Sequence, residues 1–387
     1  MAAIVNRLLA VGAIALFVFA SFAVSAQLRS DHPDTYTVQR GDTLWDIAGR
    51  FLDRPWLWPE IWQANPQIEN PHLIYPGDVI SLAYLRGQPT LQTQAGPRTE
   101  DYVDTVPLSD IEQFLRRLRV VDDIHRLPYI VSLEEERMRG SSGQLVYARG
   151  IGNARPGDMF AIVRPTQSYH ISRRQGRERG NHLARSQDLD FRGDPDRRNW
   201  ETFWSEVNYY GRDSVELGIE LMDITTATVT RGEVGGIEVT SLLVTEEGRE
   251  VRAGDRLVRV EPQPFDLQFM PRAPDFNFDY DRAQVLSVAD GYKAAGPRDV
   301  VALSVGRNDG VENGMVFSLW NRGNHVPDHV ANRNPMRARA DTVRLPDDYA
   351  GHAMVFRTFD NVSYALVMDG VRQVKVGAIV KHPDTDR

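Results

Sequence analysis

A chain of 387 residues without a single cysteine can have neither a disulfide framework nor a catalytic thiol, and its 42% hydrophobic content is enough to bury two or three cores. Its 53 acidic residues outnumber the 45 basic ones, which excludes general nucleic-acid binding through a basic surface.

In chain order the first feature is a leader. Arg7 is the only charge among residues 1–26, an apolar run covers 8–24, and Val24-Ser25-Ala26 offers small residues before a cut. This predicts a cleaved signal peptide over 1–26, an exported chain beginning near Gln27, and no transmembrane segment after cleavage. An uncleaved anchor is the alternative, because the run nearly spans a bilayer.

Residues 36–83 read as the first compact unit. Tyr36, Thr37, Val38 and Gln39 alternate as a half-buried strand does. Gly41-Asp42 turns the chain, and Thr43 is placed to cap a helix whose third residue is Asp46. Leu44, Ile47, Ala48 and Phe51 fall on one face of that helix. A second helix is expected from Pro59 to Asn65, stopped by Pro66, with Ile61 and Trp62 on its buried side. Tyr75-Pro76-Gly77-Asp78 fits a type II turn, and 79–82 makes a closing strand. The predicted order is βααβ. Of Trp45, Trp56, Trp58 and Trp62, the pair Trp56 and Trp58 is expected in an exposed loop.

Residues 84–106, rich in Gly, Pro, Thr and Gln without apolar periodicity, are expected to be a flexible linker. A short helix follows from Leu108, with Ile111, Phe114, Leu115 and Leu118 at helical spacing. Beyond it, short β-branched or aromatic runs at 129–133, 144–148, 159–163, 227–230, 237–244, 256–260, 300–305, 316–320, 353–356, 364–368 and 378–381 predict strands. They group into a mainly-β region over 107–262 and a C-terminal β domain over 285–383. The whole is a multidomain α+β chain with barrel- or sandwich-like β domains. Four phrases in this half, ARPGDMFAIVRP, VRAGDRLVRVEP, VENGMVFSLWNR and VKVGAIVKHP, each place a Gly before an apolar strand, as one turn device reused would. Residues 170–198, with eight arginines among five acids, are expected to belong to a long loop over 170–212, and 322–345 to a second.

No constellation for catalysis emerges. The only close histidine pair, His325 and His329, is interrupted by Pro327 and lacks a glutamate between. Glu134, Glu135 and Glu136 are adjacent carboxylates of the kind that usually lie on a solvated face. The chain is therefore read as non-enzymatic, with no cofactor and no metal.

YTVQRGDTLWDIAGRF followed by NPQIENPHLIYPGDVISL resembles a LysM module over its full length, except that DRPWLWPEIW between them is long and tryptophan-rich. The resemblance implies binding of N-acetylglucosamine-containing glycan, here peptidoglycan, in a shallow groove between two loops. Carried onto this sequence, one wall is Gly41, Asp42, Thr43 and Leu44, and the other Asn70, Pro71, His72, Leu73 and Ile74. Asp42 has an alternative role in shaping its turn, and Leu44 and Ile74 an alternative place in the core. Replacing Thr43 or Asn70 with Ala is expected to weaken glycan binding without unfolding the module.

Signal peptide, one LysM, linker and β-rich remainder together resemble the type IV pilus secretin-associated protein family (TsaP), whose C-terminal region is related to the flagellar protein FlgT. LPYIVSLEEERMRGSSGQLVYARG, ARPGDMFAIVRP and VRLPDDYAGHAMVFRTFDNVSYALVMDGVRQVKVGAIVKHP carry that likeness. It implies a periplasmic anchor that holds peptidoglycan and tethers an outer-membrane secretin, with a ring-shaped multimer on the secretin giving avidity. A peptidoglycan hydrolase or its regulator, and a scaffold for a flagellar or other envelope machine, are the alternatives.

Overall fold

The computed structural model describes residues 28–59, 74–85, 88–94, 108–172, 183–185, 204–208, 214–233, 235–260, 270–275, 278–289, 294–328, 330–331 and 342–385. The expected leader, most of the expected second helix and the tips of both expected loops lie outside the described residues. The chain divides into two compact units, Met1–Val103 and Asp104–Arg387.

In the first unit β1 (Thr35–Thr37) leads into α1 (Leu44–Phe51), a 3-10 turn over Pro55–Leu57, β2 (Val79–Leu85) and β3 (Gln88–Gln94). α1 starts where its capping residues allow. The Thr43 hydroxyl accepts the Asp46 N–H at 3.2 Å and the Asp46 carboxylate accepts the Thr43 N–H at 3.1 Å, so two otherwise orphaned donors are satisfied. Its apolar face buries Leu44, Ile47, Ala48 and Phe51 against Val38, Trp58, Ile74 and Ile80.

β2 pairs antiparallel with β1 on one side and β3 on the other. β3 corrects the linker reading, because residues 88–94 lie inside the expected 84–106 tether yet pair along all of β2. As the edge of its sheet, this strand can hold Pro89 where a central strand could not. Its Gln and Thr content hid it, since pairing with β2 rather than apolar alternation specifies it.

The second unit opens with α2 (Leu108–Arg117) and β4 (Leu118–Val121). Eight strands follow: β5 (Tyr129–Leu133), β6 (Leu145–Arg149), β7 (Met159–Ser172), β8 (Leu183–Arg185), β9 (Trp204–Asn208), β10 (Ser214–Arg231), β11 (Thr240–Val244) and β12 (Arg256–Arg259). The remaining ten are β13 (Val285–Ala289), β14 (Ala294–Ala295), β15 (Val300–Leu303), β16 (Val316–Asn321), β17 (His325–Pro327), β18 (Thr342–Arg344), β19 (Asp348–Thr358), β20 (Ser363–Gly370), β21 (Val374–Lys375) and β22 (Ile379–Lys381).

Two closed rings of six strands emerge, and they have the same topology. β5, β6, β7, β10, β11 and β12 form the first; β13, β15, β16, β19, β20 and β22 form the second. Numbered one to six in chain order, both pair one with two, two with five, five with four, four with three, three with six, and six with one. The first strands even share a bulge, between Ile130 and Ser132 and between Val285 and Ser287.

The repeated glycine phrase is the joint of this internal repeat. Gly157, Gly254, Gly314 and Gly377 all have positive φ, from +83° to +96°, which a residue without Cβ adopts freely. Each donates its N–H to a neighbouring strand of its ring. Gly157 reaches Val229 and Gly314 reaches Val355, both on the fourth strand; Gly254 reaches Ile130 and Gly377 reaches Val285, both on the first, all at 2.7–2.9 Å.

The second strands are entered by the same joint. Gly143 donates to Val244, while in the second ring Arg298 occupies the glycine position at φ +75° and donates to Val367. An arginine there is strained by about 1–2 kcal/mol. Arg298→Gly is therefore expected to exceed Arg298→Ala in stability by about 1 kcal/mol in urea melts, since both lose the exposed pair with Asp110 and only the glycine relieves the strain.

The interior of the second ring follows period two, with Phe317 and Leu319, Val301 and Leu303, Ala353 and Val355, and Ala365 and Val367 in one cluster. The residues between them, among them Val316, Met354, Phe356 and Leu366, are buried as well. Their cover includes an arm from the first ring. Beyond Val163, where β12 leaves it, β7 continues with β10, and β4 pairs with β10. From this arm β8 and β9 reach the second ring, where β9 pairs with β13 at 287–289.

The expected loop 170–212 is thus corrected. His170–Ser172 extend β7, and 183–185 and 204–208 are strands of the second ring's sheet. The regions expected as separate domains, 107–262 and 285–383, form one compact unit. The expected loop 322–345 likewise holds a two-stranded hairpin, β17 with β18.

Two buried polar clusters hold this unit. Glu220, fully buried on β10, accepts hydrogen bonds from Thr166 at 2.7 Å, Tyr169 at 2.9 Å and Tyr364 at 2.5 Å. Burial, with Glu220 beside them, pushes both tyrosine phenols well above their ordinary range. Arg164, on β7, meets Asp255 through two bonds of 2.7 and 2.8 Å, and both side chains are buried.

Candidate functional site

The site expected from the sequence lies in the first unit, where β1 and α1 flank a short connection. Gly41 stands exposed at its apex with φ +88°, and a Cβ there would meet nothing within 4 Å. The backbone conformation rather than space therefore calls for glycine. Asp42 shapes the connection: its carboxylate accepts the Gln39 N–H at 2.8 Å and the Tyr36 hydroxyl at 2.7 Å. Burial first, and this bond second, raise the Tyr36 phenol above its usual range, and Arg50 lies 4.2 Å over the ring.

The turn over 75–78 is fastened to the end of the first strand. Gly77, at φ +93°, donates to the Val38 carbonyl at 2.8 Å, and the Val38 N–H donates to Asp78 at 2.8 Å. The Asp78 N–H closes the turn onto Tyr75 at 3.0 Å, as the sequence predicts. Asn70, Pro71, His72 and Leu73 lie outside the described residues.

Several side chains differ from expectation. Leu44 and Ile74 are only 1% and 2% exposed and belong to the core, so they offer a ligand backbone atoms but no groove surface. Trp56 and Trp58 are buried rather than exposed, and Trp45 packs with Trp56 at 6.3 Å between ring centres. A unit this small needs its largest side chains inside. Trp62 lies outside the described residues. Sequence reasoning misses the contribution of Tyr36: its bond to Asp42 crosses six positions spanning strand and turn, and no local pattern marks it.

Thr43 is buried too, and its hydroxyl caps α1. Thr43→Ala is accordingly expected to lower the melting stability of this unit by about 1 kcal/mol without unfolding it. Asp42→Ala should cost about 1–3 kcal/mol by leaving the Gln39 N–H and Tyr36 hydroxyl without their acceptor, with Tyr36→Phe retaining most of the stability. Thermal melts of the three variants beside glycan-binding assays separate folding from contact.

What remains presented is the exposed stretch 39–41 on a preformed loop, where the Gln39 N–H and carbonyl are already bonded to Asp42. Such a surface can hydrogen-bond an N-acetyl sugar without proton transfer. Elsewhere, Glu134 accepts the Leu145 N–H at 3.2 Å and Glu135 pairs with Arg137 at 2.7 Å. His325 lies on β17, and its sequence partner His329 lies outside the described residues. Among the described residues no group of three His, Asp or Glu side chains could hold a metal ion, and no described helix is long and apolar enough to cross a membrane.

Residues 36–83 match the family model of the LysM domain. A curated relative, the uncharacterized protein YqbP of Bacillus subtilis (strain 168), is 40% identical over 60 residues, covering 13% of this chain and 27% of the relative. The matched stretch thus spans about a quarter of that relative's length. A LysM domain is a binding rather than a catalytic module; it supports binding of peptidoglycan-type glycan and points to an extracytoplasmic, cell-wall-associated protein.

Proposed function

From a LysM domain whose loop is preshaped by Asp42, we propose that this chain is a non-catalytic periplasmic anchor. The observation that carries the reading is the match at 36–83, together with the bonds that hold the 39–43 connection in one conformation. Gly41, Asp42, Thr43 and Leu44, with Asn70, Pro71, His72, Leu73 and Ile74, form the two walls that take an N-acetylglucosamine-containing glycan, largely through backbone atoms. The unit over 104–387 grips the protein partner, an outer-membrane secretin of the type IV pilus, and couples it to the wall.

Co-sedimentation with purified sacculi tests the first half. The mature chain is expected to pellet and a form lacking residues 27–103 to stay soluble; pelleting by the shortened form alone reverses the roles. Capture of the tagged chain from envelopes, with the bound ring component identified, tests the second half, and a flagellar ring component would assign the scaffold to that machine. Release of soluble muropeptides, with or without zinc, would make the chain a hydrolase.

A further inference from the structure

Both rings carry an insertion between their third and fourth strands. In the first ring it is the arm, whose β9 pairs with β13. In the second ring it is the β17–β18 hairpin, which among the described residues forms a sheet of its own. A lone two-stranded hairpin is marginal in water, yet this one is held firmly at its root. The Leu345 N–H donates to the Asn324 carbonyl at 3.0 Å. Asp347 accepts the Gly323 N–H at 3.1 Å and pairs with Arg344 at 2.9 Å and Lys381 at 3.6 Å. A Cβ at Gly323 would collide with the Leu345 carbonyl, so the two strands leave the ring in close contact.

Alternation makes the hairpin two-faced. Val326 and Val343 lie opposite each other at 38% and 50% exposure, and Leu345, two positions beyond Val343, shares their side at 42%. His325 and Arg344 are the opposed pair on the other side. An apolar face of three side chains is far smaller than a stable protein interface, which takes roughly 20–30 residues from each partner. It does suit shallow burial in a lipid surface, and the charge agrees. In sequence, 322–345 carries five arginines against two aspartates, within a chain of net charge −8. Apolar burial at headgroup depth together with a local surplus of cations is how peripheral proteins hold anionic bilayers.

We propose that the β17–β18 hairpin docks the second unit on an anionic lipid surface. Val326, Val343 and Leu345 enter the headgroup region, and the arginine surplus of the insertion supplies the electrostatic attraction. This contact goes beyond the anchoring role, and it needs neither glycan nor a protein partner.

Vesicle co-sedimentation of residues 27–387, which lack the apolar leader, tests it. The chain is expected to pellet with vesicles of phosphatidylethanolamine and phosphatidylglycerol and to stay in the supernatant with phosphatidylcholine. A surplus of three positive charges, each giving about fivefold near an anionic surface, makes that difference about a hundredfold. Salt at about 0.5 M should remove most of it. Val326→Asp combined with Val343→Asp should lower binding to the anionic vesicles by at least about tenfold, because two carboxylates would have to enter the headgroup region.

A second readout serves should the aspartate variant misfold. Because the chain has no cysteine, Val343→Cys and, on the first ring, Met138→Cys at an 89% exposed position each take one environment-sensitive dye. The label at 343 is expected to brighten and shift to the blue on anionic vesicles, and the label at 138 to stay unchanged. No binding to the anionic vesicles, equal binding to both kinds, undiminished binding by the aspartate variant, or a silent label at 343 each overturns the proposal. A hairpin that serves a protein instead would give the first of these outcomes, with the aspartate variant losing its captured ring component.

Discussion

Asp255→Ala is expected to destabilise the second unit by about 3–5 kcal/mol, read as a shift of its urea midpoint. The carboxylate lies in a site with no measurable exposure and Arg164 is 3% exposed, so removing one partner leaves a guanidinium buried without its anion. Burial raises the Asp255 carboxyl above its ordinary value against the opposing pull of Arg164, so the cost of taking this carboxylate out of water outweighs what its partner returns. The same carboxylate accepts the Arg252 N–H at 2.8 Å, so the substitution also frees the turn carrying Gly254. Replacing both partners, Arg164→Met with Asp255→Leu, should recover most of the loss, because two apolar side chains carry no desolvation penalty. A single substitution costing under about 1 kcal/mol would show that water reaches this pair.

The second large effect is expected at Glu220. Glu220→Ala removes the acceptor for Thr166, Tyr169 and Tyr364 together, and a loss of about 3–5 kcal/mol follows from three buried hydroxyls and a cavity. Glu220→Gln should cost only about 1–2 kcal/mol, since its carbonyl can still accept both tyrosines and its amide can donate to Thr166. Tyr364 belongs to the second ring and Glu220 to the arm of the first, so this cluster ties the two repeats. Equal effects of Ala and Gln would mean that charge, not hydrogen bonding, is what the cluster needs. Denaturant titrations of the two variants decide between these.

The first unit is legible because its determinants are local. Thr43 and Asp46 are three positions apart, as are Tyr75 and Asp78, and each pair is joined by its own hydrogen bonds. The same locality makes the glycine phrases visible, though GPRD does not stand out because Arg298 sits where glycine is usual. The tryptophans fall elsewhere than expected for the opposite reason. Whether Trp56 is buried depends on what the rest of the chain brings over it, and spacing along the sequence carries no such information.

By itself, then, the sequence determined the LysM module, its capped helix and shaped loop, the β character of the remainder and the recurring turn, all of them products of interactions within a few residues. Only the tertiary structure decided that two β regions close into rings of one topology, that a polar, arginine-rich stretch supplies β8 and β9, and that Glu220 meets Tyr364. Those contacts join residues as much as 144 positions apart, and alternation specifies which face of a strand is buried but not which strand lies beside it.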